Sequence, residues 1–163
     1  MKKLAILFFI VISSKNIAAQ SVEYNLMLNT LLSKTVEPIN IGEANKRKST
    51  VFLDTRAKRE YEVSHIKNAV WVGYDDFSVK SLKNLKKDTE IIAYCSVGYR
   101  SEKIGEKLKK AGYKNVRNLW GGIFEWVNEG NGLVDNSEKP TNIVHSYSPE
   151  WGIWLKKGVK VYK

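Results

Sequence analysis

A chain of 163 residues with 27 Lys and Arg against 17 Asp and Glu is long enough for one hydrophobic core without disulfide staples. Its single cysteine rules out an internal disulfide, and that cysteine with two scattered histidines lacks metal-ligand spacing, so neither a metal nor a cofactor is expected. The formal charge of +10 comes largely from lysines interspersed with Glu and Asp, which reads as solvated helix faces and argues against a nucleic-acid partner.

In chain order, Lys2 and Lys3 precede an apolar run from Leu4 to Ile12 that is too short to span a bilayer, and Ala18-Ala19 offer small residues before Gln20. Residues 1–19 therefore read as a secretory signal peptide, with an uncleaved membrane anchor as the runner-up, which Lys15 and the short run weigh against. The expected product is exported, periplasmic or secreted, with no stable membrane insertion after cleavage. An exported protein with one cysteine keeps it buried or holds it for chemistry with another molecule.

Residues 20–35 read as a helical extension, since Tyr24, Met27, Leu28, Leu31 and Leu32 form one apolar stripe between Ser21 and Leu32. A short strand is expected at Val36 to Ile39, a weak helix near Gly42 to Lys46, and a strand at Val51 to Asp54 whose end carries Asp54 and Arg56. Arg56 and Glu60 stand four apart at the start of a short helix and are expected to pair across one turn. A strand at Ala69 to Val72, a helix from Asp75 to Leu85 with Phe77 and Leu82 inward, and a strand at Glu90 to Tyr94 follow. Val116 to Leu119 is the last strand, and Gly122 to Glu129 a closing helix. Strands alternating with helices imply right-handed crossovers and an α/β fold with a parallel sheet. Ligands of such sheets bind beyond the carboxyl ends of the strands.

The stretch from Ile91 to Ser101 carries the chemistry. Ile91 to Tyr94 is an unalternated apolar run, as in a central strand covered on both faces. From about Arg100 the pattern turns helical, with Ile104, Leu108 and Ala111 at i, i+4 and i+7. Cys95 thus falls where a strand ends and a helix begins, a place where backbone N–H groups and the helix dipole attract anions and favour a thiolate. Gly98 allows the tight turn, and Arg100 offers a planar positive charge.

Cys95-x-x-Gly98-x-Arg100-Ser101, with Leu108, Ala111-Gly112-Tyr113, Val116, Leu119, then Trp120-Gly121-Gly122-Ile123 and Trp126, resembles the active-site half of a rhodanese (thiosulfate sulfurtransferase) domain. Leu53-Asp54-Thr55-Arg56, Glu60-Tyr61, His65-Ile66 and Ala69 are similar to the family's first signature, with Ser64, Lys67 and Asn68 where Gly, Pro and Gly are usual. The resemblance implies a rhodanese-like domain over residues 36–130, with a central parallel sheet of about five strands flanked by helices on both faces.

It further implies that Cys95 takes a sulfane sulfur from thiosulfate or a related small sulfur-containing anion. The sulfur is held as a persulfide in the loop of Ser96, Val97, Gly98, Tyr99 and Arg100, with Asp54 and Arg56 in support, and passes to cyanide, a thiol or a protein acceptor. Two alternatives stand beside this reading. One is a sulfur carrier or partner-binding module without turnover. The other is a cysteine phosphatase or arsenate reductase, disfavoured because only four residues separate Cys95 from Arg100.

Residues 131–163 lie outside the resemblance and form a C-terminal extension. Ser148-Pro149-Glu150 marks a helix start, and Trp151, Trp154 and Tyr162 are expected to pack on the domain. A sharper expectation is that this tail, with the N-terminal helix, walls the cysteine pocket. His65 reads as structural and His145 as isolated in the tail.

Overall fold

The computed structural model describes residues 22–163, so the expected signal peptide at 1–19 lies outside the described residues. A helix over 22–31 (α1) leads to β1 (Pro38–Ile39), α2 (Ile41–Asn45), β2 (Val51–Asp54), α3 (Lys58–Val63) and β3 (Val70–Trp71). After a single 3-10 turn at Val79–Leu82 come β4 (Glu90–Tyr94), α4 (Tyr99–Lys110), β5 (Asn115–Leu119) and α5 (Gly122–Asn128). Strands β1 to β5 form one sheet in the order β1-β5-β4-β2-β3, and every pairing in it is parallel.

Strand β4 lies at the centre and is buried on both faces. Its alternating side chains feed two separate clusters, as the two sides of a pleated strand must. Ile92 and Tyr94 join Leu28 of α1, Ile41 of α2 and Phe124 of α5. Ile91 joins Ile104 and Leu108 of α4, with Leu53 and Val116. Helices therefore cover both faces, and the unbroken apolar run of β4 is explained.

The tail adds small strands that its sequence pattern does not announce: β6 (Leu133–Val134), β7 (Pro140–Thr141), β8 (Ile143–His145) and β9 (Val159–Val161), with α6 (Pro149–Gly152) between the last two. Strands β6 and β7 pair antiparallel, while β8 and β9 pair parallel. His65 and Val134 exchange both backbone hydrogen bonds, at 2.9 and 3.0 Å, tying β6 to the turn after α3. Val144 and Leu155 are fully buried in the same cluster as α1 and α5. Tyr24 of α1 stacks on Trp154 with ring centroids 5.3 Å apart, so the two extensions meet over one face of the sheet.

Two local expectations are corrected, and the expected helix start at Ser148-Pro149 holds. Asp75 to Leu85 is not a helix, because Ser78 accepts from the Lys80 N–H and the Ser81 hydroxyl donates to the Ser78 carbonyl, local bonds that compete with a helix. The helix that starts at Pro149 is one turn long and ends at Gly152, which is pressed against Tyr162. Arg56 and Glu60 do not pair with each other; each has a partner outside α3, described below.

Candidate active site

Between the end of β4 and the start of α4, the chain turns through Cys95, Ser96, Val97 and Gly98. Gly98 caps α4 with φ +117, and its N–H donates to Cys95 Sγ at 3.2 Å. The loop carbonyls are held from outside. Ile123 and Phe124, at the start of α5, donate their N–H groups to the Cys95 and Ser96 oxygens at 2.9 and 3.1 Å. Asn118 of β5 donates to the Gly98 oxygen at 3.0 Å, and the Ser101 hydroxyl, 3.1 Å from that oxygen, donates to Asn118 Oδ1 at 2.7 Å. These bonds fix the plane of the Gly98 peptide units and so keep the turn shaped around the sulfur.

Close approach of α5 to the loop depends on Gly122. A Cβ there would lie 2.4 Å from the Cys95 oxygen and 2.6 Å from the Ser96 oxygen, on a backbone with φ +57. The Trp-Gly-Gly pattern is therefore the second half of the loop's support.

Arg100 projects from the first turn of α4 onto Glu60 of α3. Its two terminal nitrogens donate to the two carboxylate oxygens at 2.7 and 2.8 Å, and one also reaches Ser96 Oγ at 3.1 Å. Burial alone would raise the Glu60 carboxyl, but the hydrogen bonds and charge of Arg100, followed by the charge of Arg56, hold it below its ordinary value. Burial works against the Arg100 charge too, and the bonds to Glu60 outweigh it, so the guanidinium stays protonated.

Asp54 and Arg56 form a second, fully buried pair behind the first. Arg56 donates to Asp54 at 2.6 Å and to the Ser64 carbonyl at 2.7 Å, which closes the ends of α3 against β2. Neither lines the pocket, so these two hold up Glu60's helix and reach no ligand above Cys95. Glu60 and Asn118 are the site residues that spacing alone missed. Glu60 was visible as a signature position but was given the wrong partner, and Asn118, 20 residues beyond Gly98, carried no signal.

A pocket of about 230 Å³ opens above Cys95, which itself is only 1% exposed. Its floor is the loop with Ser96 and Val97, and α4 contributes Tyr99 and Arg100. Its remaining wall comes from the two extensions: Leu31 at the end of α1, and Tyr147 and Trp151 of the tail. The turn that follows Leu31 is tied down by Glu102 of α4, which accepts the Ser33 and Thr35 N–H groups at 3.0 Å each.

His145 is not isolated. It is fully buried at the end of β8, on the strand packed against α3, and its Nδ1 accepts the Tyr147 N–H at 3.1 Å. That acceptor role places the ring proton on Nε2, which has no partner among the described residues. Burial lowers its basicity, with Glu60 opposing and Arg59, Arg56 and Arg100 adding to the effect. His65, by contrast, stacks on Tyr61 and bonds the Tyr61 carbonyl through Nδ1 at 3.0 Å. Among the described residues, no group of three or more His, Cys, Asp or Glu side chains is placed to hold a metal ion.

Residues 40–129 match the model of the rhodanese-like domain, more than half of the chain. The chain belongs to the rhodanese-like family. Rhodanese-like relatives of known structure include a rhodanese-related protein from Thermoplasma volcanium, 27% identical with a TM-score of 0.54, covering 60% of this chain and 96% of that one. A thiosulfate sulfurtransferase from Pseudomonas aeruginosa shares the fold at 21% identity and a TM-score of 0.57, over 65% of this chain and 21% of that one.

Curated sequence relatives carry a different name. The tRNA uridine(34) hydroxylase of Photorhabdus laumondii is 36% identical over 103 residues, 58% of this chain and 29% of that enzyme. That of Onion yellows phytoplasma is 34% identical over 111 residues, 65% of this chain and 36% of the enzyme. This rhodanese-like chain thus spans about a third of the length of the curated relatives it matches.

Proposed function

We propose that the protein is a sulfurtransferase in which Cys95 takes the outer sulfur of thiosulfate or a related sulfane donor. The Cys95 thiolate attacks that sulfur, a new S–S bond forms at Sγ, and sulfite leaves with the electron pair of the bond that breaks. The persulfide is anionic, and a thiol, a protein acceptor or cyanide removes the transferred sulfur in a second step, giving ping-pong kinetics. The observation that carries this reading is the Gly98 N–H aimed at Cys95 Sγ at the start of α4, a preorganised donor where negative charge sits in the persulfide.

The same geometry weighs against phosphate-ester chemistry. Only four residues separate Cys95 from Arg100, a loop one residue short for cradling a phosphate. Hydroxylation of a tRNA base belongs to enzymes of which the match to this chain covers only about a third, and we carry over from them only the family. A small-molecule donor suits this chain better than nucleic acid, because Cys95 lies under a pocket of about 230 Å³ and is itself only 1% exposed. The pattern of residues 1–19 supports export, with the periplasm or the exterior as the working compartment.

Intact mass of the signal-free protein after incubation with thiosulfate is the test. A gain of one sulfur that requires Cys95, is absent in Cys95→Ser and is reversed by cyanide is the expected result. No gain, with Cys95 still alkylating readily, would sink turnover on thiosulfate. A processed N-terminus near Gln20 in a periplasmic fraction checks the compartment.

A further inference from the structure

The pocket is poorly matched to an inorganic dianion. Arg100 is its one lining cation among the described residues, and Glu60 takes that charge in a two-bond grip. The next cation inward, Arg56, is taken by Asp54. An incoming thiosulfate would place two negative charges beside a pair already neutral in sum and a single N–H directed at the sulfur. Desolvating such an ion without a free counter-charge is costly.

The upper walls are instead apolar and aromatic, formed by Leu31, Tyr99, Tyr147 and Trp151. Three of these four, all but Tyr99, lie outside the residues 40–129 that match the family model, so this wall belongs to the chain's own extensions. Tyr147 is held there at a conformational cost. It adopts φ +64, a left-handed backbone that bulky side chains avoid, in a turn closed by the Ser148 N–H on the Ser146 oxygen at 2.8 Å and by its own N–H on His145. The turn carries its ring to 5.1 Å from the Arg100 guanidinium, at the pocket edge.

Resting on the sulfur-transfer reading above, we propose that the two extensions select a sulfane donor with one negative charge and a ring-sized apolar body, an organic thiosulfonate, over inorganic thiosulfate. The step is balanced: the Cys95 thiolate attacks the terminal sulfur of R–SO2–S⁻ and forms the persulfide S–S bond. The bond from that sulfur to the sulfonyl group breaks, and R–SO2⁻ leaves with the electron pair. Two negative charges enter and two remain. The body R lies against Tyr147, Trp151 and Leu31, while the sulfonyl oxygens approach Ser96 and the loop.

The experiment compares kcat/KM for benzenethiosulfonate, methanethiosulfonate and thiosulfate at fixed cyanide, with intact mass recording the persulfide from each. The two thiosulfonates have equal charge and differ in body, so they separate the wall from electrostatics. Benzenethiosulfonate should exceed methanethiosulfonate by about tenfold or more, within the range that apolar pocket contacts supply. Tyr147→Gly, which suits the left-handed turn and keeps the fold, and Trp151→Ala should each lower the aromatic donor by about fivefold or more and leave methanethiosulfonate within about twofold. Thiosulfate used as fast as benzenethiosulfonate, equal rates for the two thiosulfonates in the unaltered protein, or an equal fall for all donors in the variants, overturns the selection while leaving sulfur transfer standing. No persulfide from any donor overturns sulfur transfer itself, and the selection with it.

Discussion

Arg100 and Glu60 face each other across the cysteine loop in a two-bond grip, 2.7 and 2.8 Å long, between helices that lie 40 residues apart in the chain. Glu60 is almost wholly buried, with 1% of its side chain exposed, so its carboxylate depends on this partner. Removing the arginine strands a buried charge. Arg100→Ala should therefore lose about 3–5 kcal/mol of stability, the usual cost of breaking a buried pair from one side. Arg100→Lys keeps the charge but loses the planar fork and should lose less. Urea midpoints at neutral pH distinguish these outcomes, and equal midpoints for all three proteins would contradict the pairing.

Stability should fall in two stages on the acid side. His145 has a folded value lowered from 6.5, so the unfolded chain binds a proton on this residue more readily than the folded one. Its contribution is complete above about pH 6.5 and is lost as pH drops towards the folded value. Glu60, held below 4.5, contributes above its unfolded value and loses that contribution as pH falls through the folded one. His145→Gln should remove the first stage and spare the second. Denaturant midpoints from about pH 7 to about pH 4 give the profile. A wild-type curve that is flat between about pH 6.5 and about pH 5 would refute the histidine assignment.

The N-terminal helix is held to the loop's support by Tyr24, whose buried hydroxyl donates to the Gly121 carbonyl at 2.8 Å. Tyr24→Phe keeps the stack on Trp154 and removes one of the two bonds to that carbonyl, which still accepts the Glu125 N–H at 3.1 Å, so the loss should be about 0.5–1.5 kcal/mol. Trp154→Ala removes the ring itself. A double-mutant cycle between Tyr24→Ala and Trp154→Ala should show coupling of about 0.5–1.5 kcal/mol for the aromatic pair. Strict additivity would mean that the two extensions do not support each other.

The centre of the fold was legible because its signals are local. An unalternated run from Ile91 to Tyr94, too short for a helix of its own, reads as a strand covered on both sides, and Ile104 and Leu108 one turn apart announce the helix that follows. Signals failed where partners are distant or where local bonds compete. Arg56 and Glu60 have the spacing of a helical pair, yet Arg100, 40 residues on, takes Glu60, and Asp54 takes Arg56 before α3 begins. Ser78 and Ser81 turned an apparent helix into one 3-10 turn. In the tail, two- and three-residue strands have no periodicity to read, and the burial of His145 depends on β8 packing against α3. In the sequence the pocket wall is only one of two readings of the tail, because aromatic content signals burial without saying against what.

Gly122 supplies the sharpest check on how the loop is held. A methyl group there meets backbone oxygen on both Cys95 and Ser96, atoms with no rotamer to yield, and the φ of +57 adds its own strain. Helix α5 must then retreat from the loop, and the bonds from Ile123 and Phe124 to those two oxygens lengthen or break. Gly122→Ala should lose about 2–4 kcal/mol and slow alkylation or persulfide formation at Cys95, because the turn that aims the Gly98 N–H is released. Gly112 is the control. It also has positive φ, at +90, but a Cβ there meets nothing within 4 Å, so Gly112→Ala should cost only the backbone strain of about 1–2 kcal/mol and leave Cys95 reactivity unchanged. Folded Gly122→Ala protein that reacts at the wild-type rate would show that the loop keeps its shape without α5, and the role given to the Trp-Gly-Gly turn would fall.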